Sequence, residues 1–396
     1  MVSGRDPTRR LRVLALDHTA EAGGAELALL RLCDAVSADV DVRVLLFADG
    51  PLVPALAARR VPVRVAPLDP ALARASREEI GSAGRGHLRR ARAALRFQHV
   101  LYREIRAADP DVVHTNSLKA DLLALLPAVL ARRPLVWHVH DRVAADYLPR
   151  SLVLLVRALS WLPAALVTNS AATAATLPRP STVARPGLDA RQVRVSPRPR
   201  PDGAPVVGLV GRISPTKGQR ELVRAAPRIL RRHPGATFRV VGAATFGEDD
   251  YEAAVRAEAV SLGVSSQVRW VGAVPDPTVE LDRLTVLVHA SPVPEPFGQV
   301  VVEAMARGVP VVATDAGGVP EIVGRGRAAT GVLVPPGDVE ALADAVLDVV
   351  DRPDEAEERA ARAWADVRER FSVRVTADAV TGVWRRVGRR ARRRRP

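Results

Sequence analysis

Cysteine occurs once in 396 residues, at Cys33, so no disulfide can form within the chain and a cross-linked scaffold is excluded. Cys33 shares an apolar helical face with Leu29, Leu30 and Val36, which predicts a buried structural thiol in a reducing compartment. Aromatics make up 4% of the residues, too few for the stacking platforms of a dedicated nucleic-acid binder. Runs of about 20 uncharged apolar residues are missing; the nearest stretch, 151–168, is interrupted by Arg157, so no membrane span is expected. The first residues lack the apolar core of a secretory leader, which predicts a cytoplasmic location. Lysine is almost absent. Of 58 basic residues only Lys119 and Lys217 are lysines, and Arg and Lys are not interchangeable at a binding site.

What is present is mostly core. Residues of hydrophobic type make up 47%, and the length exceeds one ordinary core, so two domains are expected. The net charge of +14 is uneven: residues 385–396 carry eight arginines and no acid. Residues 85–106 form a second basic stretch, with seven arginines and one glutamate. Leu88, Ala91, Leu95, Leu101 and Ile105 recur there at helical spacing, predicting an amphipathic helix with a cationic outer face. Both basic segments, 85–106 and 385–395, are expected to suit an anionic membrane surface as a peripheral contact.

Apolar strand patterns at 11–16, 42–47, 61–66, 111–115, 134–139 and 164–169 alternate with helical ones. The alternation restarts with strands at 206–210, 237–241, 267–271, 285–289, 309–313 and 331–334. Near-continuous apolar strands between helices imply parallel sheets covered on both faces. The proline-rich stretch 196–205 reads as a linker. The expected organisation is a first domain over 1–195, the linker, a second domain over 206–370, and over 371–396 a last helix that crosses back to the first domain and ends in the arginine tail.

Two segments carry the chemistry. In Ser291-Pro-Val-Pro-Glu295-Pro-Phe297-Gly298-Gln-Val-Val-Val-Glu303 two carboxylates lie eight positions apart. Proline and glycine between them place a helix N-terminus there, with Pro296 in its first turn. Free N–H groups at such a start attract anions. In Val-Val-Gly-Leu-Val-Gly211-Arg212-Ile-Ser-Pro-Thr-Lys217-Gly218 a strand enters a tight turn bearing two cations five residues apart. Guanidinium and ammonium can both reach one diphosphate. Acids at either end and cations in the middle fit a nucleotide-sugar.

The chain resembles a GT-B glycosyltransferase of family 4, the retaining group, over nearly its whole length. The resemblance implies an α/β fold of two Rossmann-like, doubly wound domains facing across a cleft. It implies transfer of a hexose from a UDP-, GDP- or ADP-sugar to an acceptor hydroxyl of a lipid-linked or cell-envelope glycan or a small metabolite. Neither a metal nor a cofactor is expected. Carried over by motif, Gly23 and Gly24 lie near the donor diphosphate, and His140 of Trp137-His-Val-His140-Asp141 contacts the donor sugar. Arg212 and Lys217 hold the diphosphate, Glu295 the sugar hydroxyls and Glu303 the ribose, beside Phe297 and Gly298. Catalysis is implied for His140, Arg212, Lys217 and Glu295. Asn116 and Lys119, at a strand-to-helix turn, are candidate acceptor contacts. Where the family has Pro-Asn-Gly-Val-Asp, this chain has Arg185-Pro-Gly-Leu-Asp189, so no ligand role is assigned there. A hydrolase or epimerase acting on a nucleotide-sugar is the nearer rival. A basic nucleic-acid-binding protein is the remoter one.

Overall fold

A computed structural model describes residues 10–21, 23–69, 72, 87–245 and 247–393, the side chains of 87–91 and 393 excepted. The chain divides into two compact units. The first contains the described residues up to Gly187 together with Val373–Arg393, and the second runs from Leu188 to Ser372.

In the first unit the strands are β1 (Leu11–Asp17), β2 (Val40–Leu46), β3 (Val63–Val65), β4 (Val112–Thr115), β5 (Leu135–Val139), β6 (Ala165–Thr168) and β7 (Thr182–Val183). They form one parallel sheet in the order 3-2-1-4-5-6-7. Chain direction across the sheet reverses between β1 and β4, the place where ligands gather in open α/β sheets. The register sets Leu16 beside Thr115 and Thr115 beside Trp137, so the loops leaving β1, β4 and β5 emerge together. Helices α1 (Gly24–Ala35), α2 (Leu52–Ala58), α3 (His87–Ala108), α4 (Leu118–Leu130), α5 (Arg150–Leu159) and α6 (Ala171–Ala174) join the strands. Cys33 is buried on α1, and burial pushes its thiol up to about 12, so it is an inert core group.

The second unit repeats the scheme. Strands β8 (Val206–Val210), β9 (Thr237–Val241), β10 (Val268–Gly272), β11 (Val286–His289), β12 (Val311–Thr314) and β13 (Val332–Val334) form a parallel sheet in the order 10-9-8-11-12-13. The reversal here lies between β8 and β11. Helices α7 (Gln219–Arg232), α8 (Asp249–Ser261), α9 (Thr278–Leu281), α10 (Gln299–Met305), α11 (Val319–Val323), α12 (Val339–Asp351) and α13 (Pro353–Arg370) complete it. One apolar cluster covers each face of this sheet, one through Phe238 and Val288, the other through Phe297, Val302 and Phe371. Each unit is thus Rossmann-like.

Three expectations need correction. Residues 196–205 do not bridge units; they belong to the second, where Arg198 is buried and its guanidinium donates to the Leu284 carbonyl. The division falls instead at Gly187/Leu188, inside Arg185-Pro-Gly-Leu-Asp189. Proline-rich composition reports extended backbone, and extended backbone can lie flat on a core as readily as it can span a gap. Second, α3 buries Ala93, Phe97, Leu101 and Ile105, and leaves Leu95 66% exposed. The buried stripe thus follows a four-residue step that omits Leu95. Residues 85–86 of the expected basic helix lie outside the described residues.

The arginine tail is the third. Its described part continues a helix, α14 (Val373–Arg393), that packs on the first unit through Ala377, Val380, Trp384 and Val387. Arg385 pairs with Asp39 at 3.0 Å and Arg392 with Asp111 at 2.7 Å. Packing and local acids therefore engage part of what the sequence presents as an unopposed polycation. Residues 394–396 lie outside the described residues. No helix among the described residues is long and apolar enough to cross a membrane.

Candidate active site

The loops after β8 and β11 meet because those strands are neighbours, with Val207 beside Val286. Gly218 seals the junction. Its φ is +85°, and a Cβ there would lie 2.2 Å from the Ala290 carbonyl oxygen, so any side chain would force the loops apart. Lys217 is thereby set against Glu295, and its ammonium donates to Glu295 Oε1. Burial, then the Arg212 guanidinium, pushes that ammonium down to about 8. Arg212 is kept in place through its carbonyl, which accepts from Gln219 Nε2 at 2.9 Å.

Glu295 is held from a second side. His289, at the carboxyl end of β11, bonds Glu295 Oε2 through Nε2. Its Nδ1 lies 3.2 Å from Thr314 Oγ1 at the end of β12. Burial and the Lys217 charge push His289 down to about 3, so the ring is neutral: Nε2–H donates to Glu295 and Nδ1 accepts from Thr314. Ser291 Oγ adds a longer contact to the same carboxylate oxygen, at 3.4 Å. Behind the loop, Gly318 N donates to the Glu295 carbonyl at 2.9 Å. The cation loop, the first acid and the Ala316-Gly-Gly318 turn thus form one built structure.

Glu303 sits further along, on α10, where Gln299 Nε2 donates to it at 2.8 Å. Gly298, with φ +105°, caps α10, so Pro296 lies outside the helix rather than in its first turn. α10 is only seven residues long, so its dipole is a smaller source of positive potential than expected, and Arg212 with Lys217 is the main one. Phe297 is corrected too. Its side chain is buried with its ring 6.1 Å from that of Phe371, so it packs the core and offers the loop only its backbone. A hollow of about 580 Å³ lies elsewhere, lined by Pro197, Arg198, Thr285, Gly308, Pro310 and Glu357. It opens at the amino ends of β11 and β12, the edge where such sheets do not bind ligands.

In the first unit the loops after β1, β4 and β5 converge on Asn116. Its amide nitrogen donates to Asp17 Oδ2 at 2.7 Å and to the Ala25 carbonyl at 3.1 Å, and its Oδ1 lies 3.0 Å from His140 Nε2. Asn116 is 1% exposed, so it positions His140 and the glycine loop rather than touching an acceptor. Burial pushes His140 down to about 4; in the neutral ring Nε2–H donates to Asn116 Oδ1. Lys119 reaches the Leu72 carbonyl at 3.3 Å, tying down the chain ahead of α3.

Gly23 caps α1 with ordinary extended backbone, and a Cβ there would lie 2.3 Å from Glu26 Oε2, so a side chain would have to displace that carboxyl. Gly24 is the first residue of α1. Glu26 is buried, and burial followed by the Asp17 charge raises it to about 8. Asp17, His18 and Glu26 offer ligand atoms within 4.8 Å of one another, but His18 Nδ1 is 2.8 Å from Ser117 Oγ and Asp17 is engaged by Asn116. A proton on Glu26 relieves the remaining repulsion without an ion.

Because the folded state raises this carboxyl from 4.5, its contribution is present below about pH 4.5 and is lost as pH rises through about 8. The denaturation midpoint is therefore expected to fall across that window, by an equivalent of at least about 1 kcal/mol. Glu26→Gln should flatten the profile. Identical pH profiles for the two proteins would refute the assignment.

Sequence reasoning missed Asp17, Glu26, His289 and Thr314. Asp17, His289 and Thr314 stand at the carboxyl ends of β1, β11 and β12, which is the signal that marks them; Glu26 stands in the first turn of α1, directly after the glycine pair.

Two family models match. Glycosyl transferases group 1 matches residues 193–365, and the glycosyl transferase 4-like domain matches residues 23–197. Glycogen synthase of Mycobacterium tuberculosis is 33% identical over 304 residues, covering 70% of this chain and 69% of that protein. The chain belongs to the group 1 glycosyltransferases. The glycosyltransferase is also similar to the lipopolysaccharide core biosynthesis mannosyltransferase LpcC of Rhizobium leguminosarum bv. viciae, with 34% identity over 46% of this chain and 51% of that one. Among solved structures it resembles Alr3699/HepE of Anabaena, crystallised with UDP and glucose. That match has a TM-score of 0.81 and 27% identity over 95% of this chain and 100% of the other. Its two units are those of a GT-B glycosyltransferase.

Proposed function

We propose that this glycosyltransferase is a retaining, metal-independent enzyme of family 4 that moves a hexose from a nucleotide diphosphate sugar, with a UDP-sugar as first choice. The acceptor is a hydroxyl on a lipid-linked or cell-envelope glycan or a small metabolite, reached from the cytoplasm. The observation that carries the reading is the Lys217–Glu295–His289 cluster beside Arg212. A fixed cation is poised for phosphate, and a fixed carboxylate is poised to accept from sugar hydroxyls. The UDP and glucose found with the Anabaena protein favour the uridine donor.

As the bond from the anomeric carbon to the β-phosphate oxygen breaks, negative charge grows on the diphosphate. Lys217 and Arg212 stabilise it. The acceptor oxygen bonds the same face of that carbon, and its proton passes to the departing phosphate. Glu295, oriented by His289, holds the sugar. In the first unit, Asn116 keeps His140 in position beside the Gly23-Gly24 turn.

A thermal-shift panel of UDP-, GDP- and ADP-sugars, followed by mass spectrometry of products with and without acceptors, tests the proposal. A single base should stabilise the protein, and a glycosylated product should appear only with acceptor. Free hexose formed at an equal rate without acceptor would make the protein a hydrolase. Removal of divalent ions with EDTA should leave turnover unchanged; loss of turnover restored by one metal would point to Asp17, His18 and Glu26 instead.

A further inference from the structure

Nine of the fourteen large apolar side chains exposed among the described residues lie on α3, α4, α5 and the turn that follows α5. On α4 they are Leu126, Val129 and Leu130, one ridge at helical spacing. On α5 and its turn they are Leu154, Leu155, Trp161 and Leu162, exposed by 45–70%. On α3 they are Leu95 and Val100. The inner sides of all three helices share a single apolar cluster through Leu101, Ala124 and Val156, so their outer sides form one face. Scattered exposed leucines need no explanation, but such a concentration does.

The exposed charge carried by the three helices themselves is positive, and the acids of the flanking turns are paired, Asp109 with Arg12 and Arg133 and Asp146 with Arg142. Arg92, Arg96, Arg103 and Arg106 stand exposed on α3, and Arg132, Arg150 and Arg157 on and around the other two helices. The carboxylates of these helices are withdrawn: Glu104 is half-buried and paired with Arg64, and Asp121 is buried against Thr115. We infer that the outer face of α3, α4 and α5 docks on an anionic lipid bilayer, its leucines and Trp161 entering the headgroup boundary and its arginines meeting lipid phosphates.

Other occupants fit less well. A second copy on a two-fold axis would bring arginines against arginines. Nucleic acid would meet the arginines but find aliphatic side chains where it needs stacking surfaces. A bilayer uses both halves of the pattern. Trp161, with the Arg179 guanidinium 5.9 Å from its ring centroid, has the amphipathic make-up of an interfacial anchor. α3 is the basic stretch expected at 85–106, which α4, α5 and Trp161 extend into an apolar face; the tail at 385–395 is not part of it, since Arg385 and Arg392 have acidic partners.

Docking is read without any substrate, so its failure and a failure of the donor assignment are separate results. Full-length protein is sedimented with vesicles of phosphatidylcholine alone and with vesicles containing phosphatidylglycerol. Binding is expected only to the second and should weaken as salt rises. Arg96→Gln, Arg103→Gln and Arg157→Gln should each lower the partition constant roughly fivefold. The double change Leu154→Ser, Leu155→Ser should lower it about tenfold while circular dichroism and donor thermal shift stay as in the wild type. Trp161→Phe should abolish a blue shift of tryptophan emission on vesicle addition. Three results would each overturn the inference: binding indifferent to the leucine pair, binding lost only when Arg385, Arg386, Arg389 and Arg390 are changed, or a lipid-free dimer that the leucine pair dissociates.

Discussion

Replacing Lys217 by alanine is expected to lower turnover about 10²–10³-fold with the fold intact. Lys217 stands one residue before a glycine that admits no side chain, and its ammonium is placed by Glu295 rather than by its own flexible stem. Preorganised charge of this kind contributes most where it opposes charge that develops during reaction, so kcat and kcat/KM should fall together. A change confined to KM would mean that the lysine binds ground state and transition state alike. Lys217→Arg should recover only part of the loss, because a planar fork cannot occupy the point position of an ammonium against Glu295. The stem belongs to neither apolar cluster of the second unit, so its removal should leave the urea midpoint nearly unchanged. Full turnover by Lys217→Ala, with donor binding unaltered, would remove the diphosphate role.

Gly317→Ala is expected to cost about 10²-fold in activity and about 1–3 kcal/mol in stability, although residue 317 has been given no contact with substrate. Its φ is +64°, and a Cβ would lie 2.0 Å from the Glu295 carbonyl oxygen. That neighbour is backbone and cannot rotate away. The loop carrying Glu295 must move, and with it the contacts to Lys217 and His289. Gly326→Ala is the control. Its φ is +75° with nothing within 4 Å of the added carbon, so it carries the same conformational strain without the collision. A larger stability loss in Gly317→Ala than in Gly326→Ala, with activity lost only in the first, would isolate the displacement of Glu295. Equal activity in the two variants would show that the carboxylate's position does not matter.

The strands were legible because buried parallel strands read as continuous apolar runs, as in Val206–Val210 and Val286–His289. The cation loop and the two acids were legible because glycine and proline mark turns at strand ends. Leu95 was misplaced because hydrophobic type does not say which of two apolar stripes faces the sheet. Phe297 was misplaced for a related reason: a motif names a position but not the direction of its side chain. Asn116 was read as a ligand contact, and only its three hydrogen bonds reveal a buried hub.

Read alone, the amino-acid chain specified two alternating α/β halves, their turns, and a supply of one lysine, one arginine and two acids suited to a nucleotide-sugar. These depend on neighbours a few positions apart, where period and turn chemistry act. That Lys217 meets Glu295 across 78 positions, that His289 steadies the same carboxylate, and that nine exposed apolar groups gather on one cationic face followed from strand order and helix placement. Such contacts join residues distant along the chain, and no local pattern encodes them; they exist only once β8 lies beside β11 and α3, α4 and α5 cover the same side of a sheet.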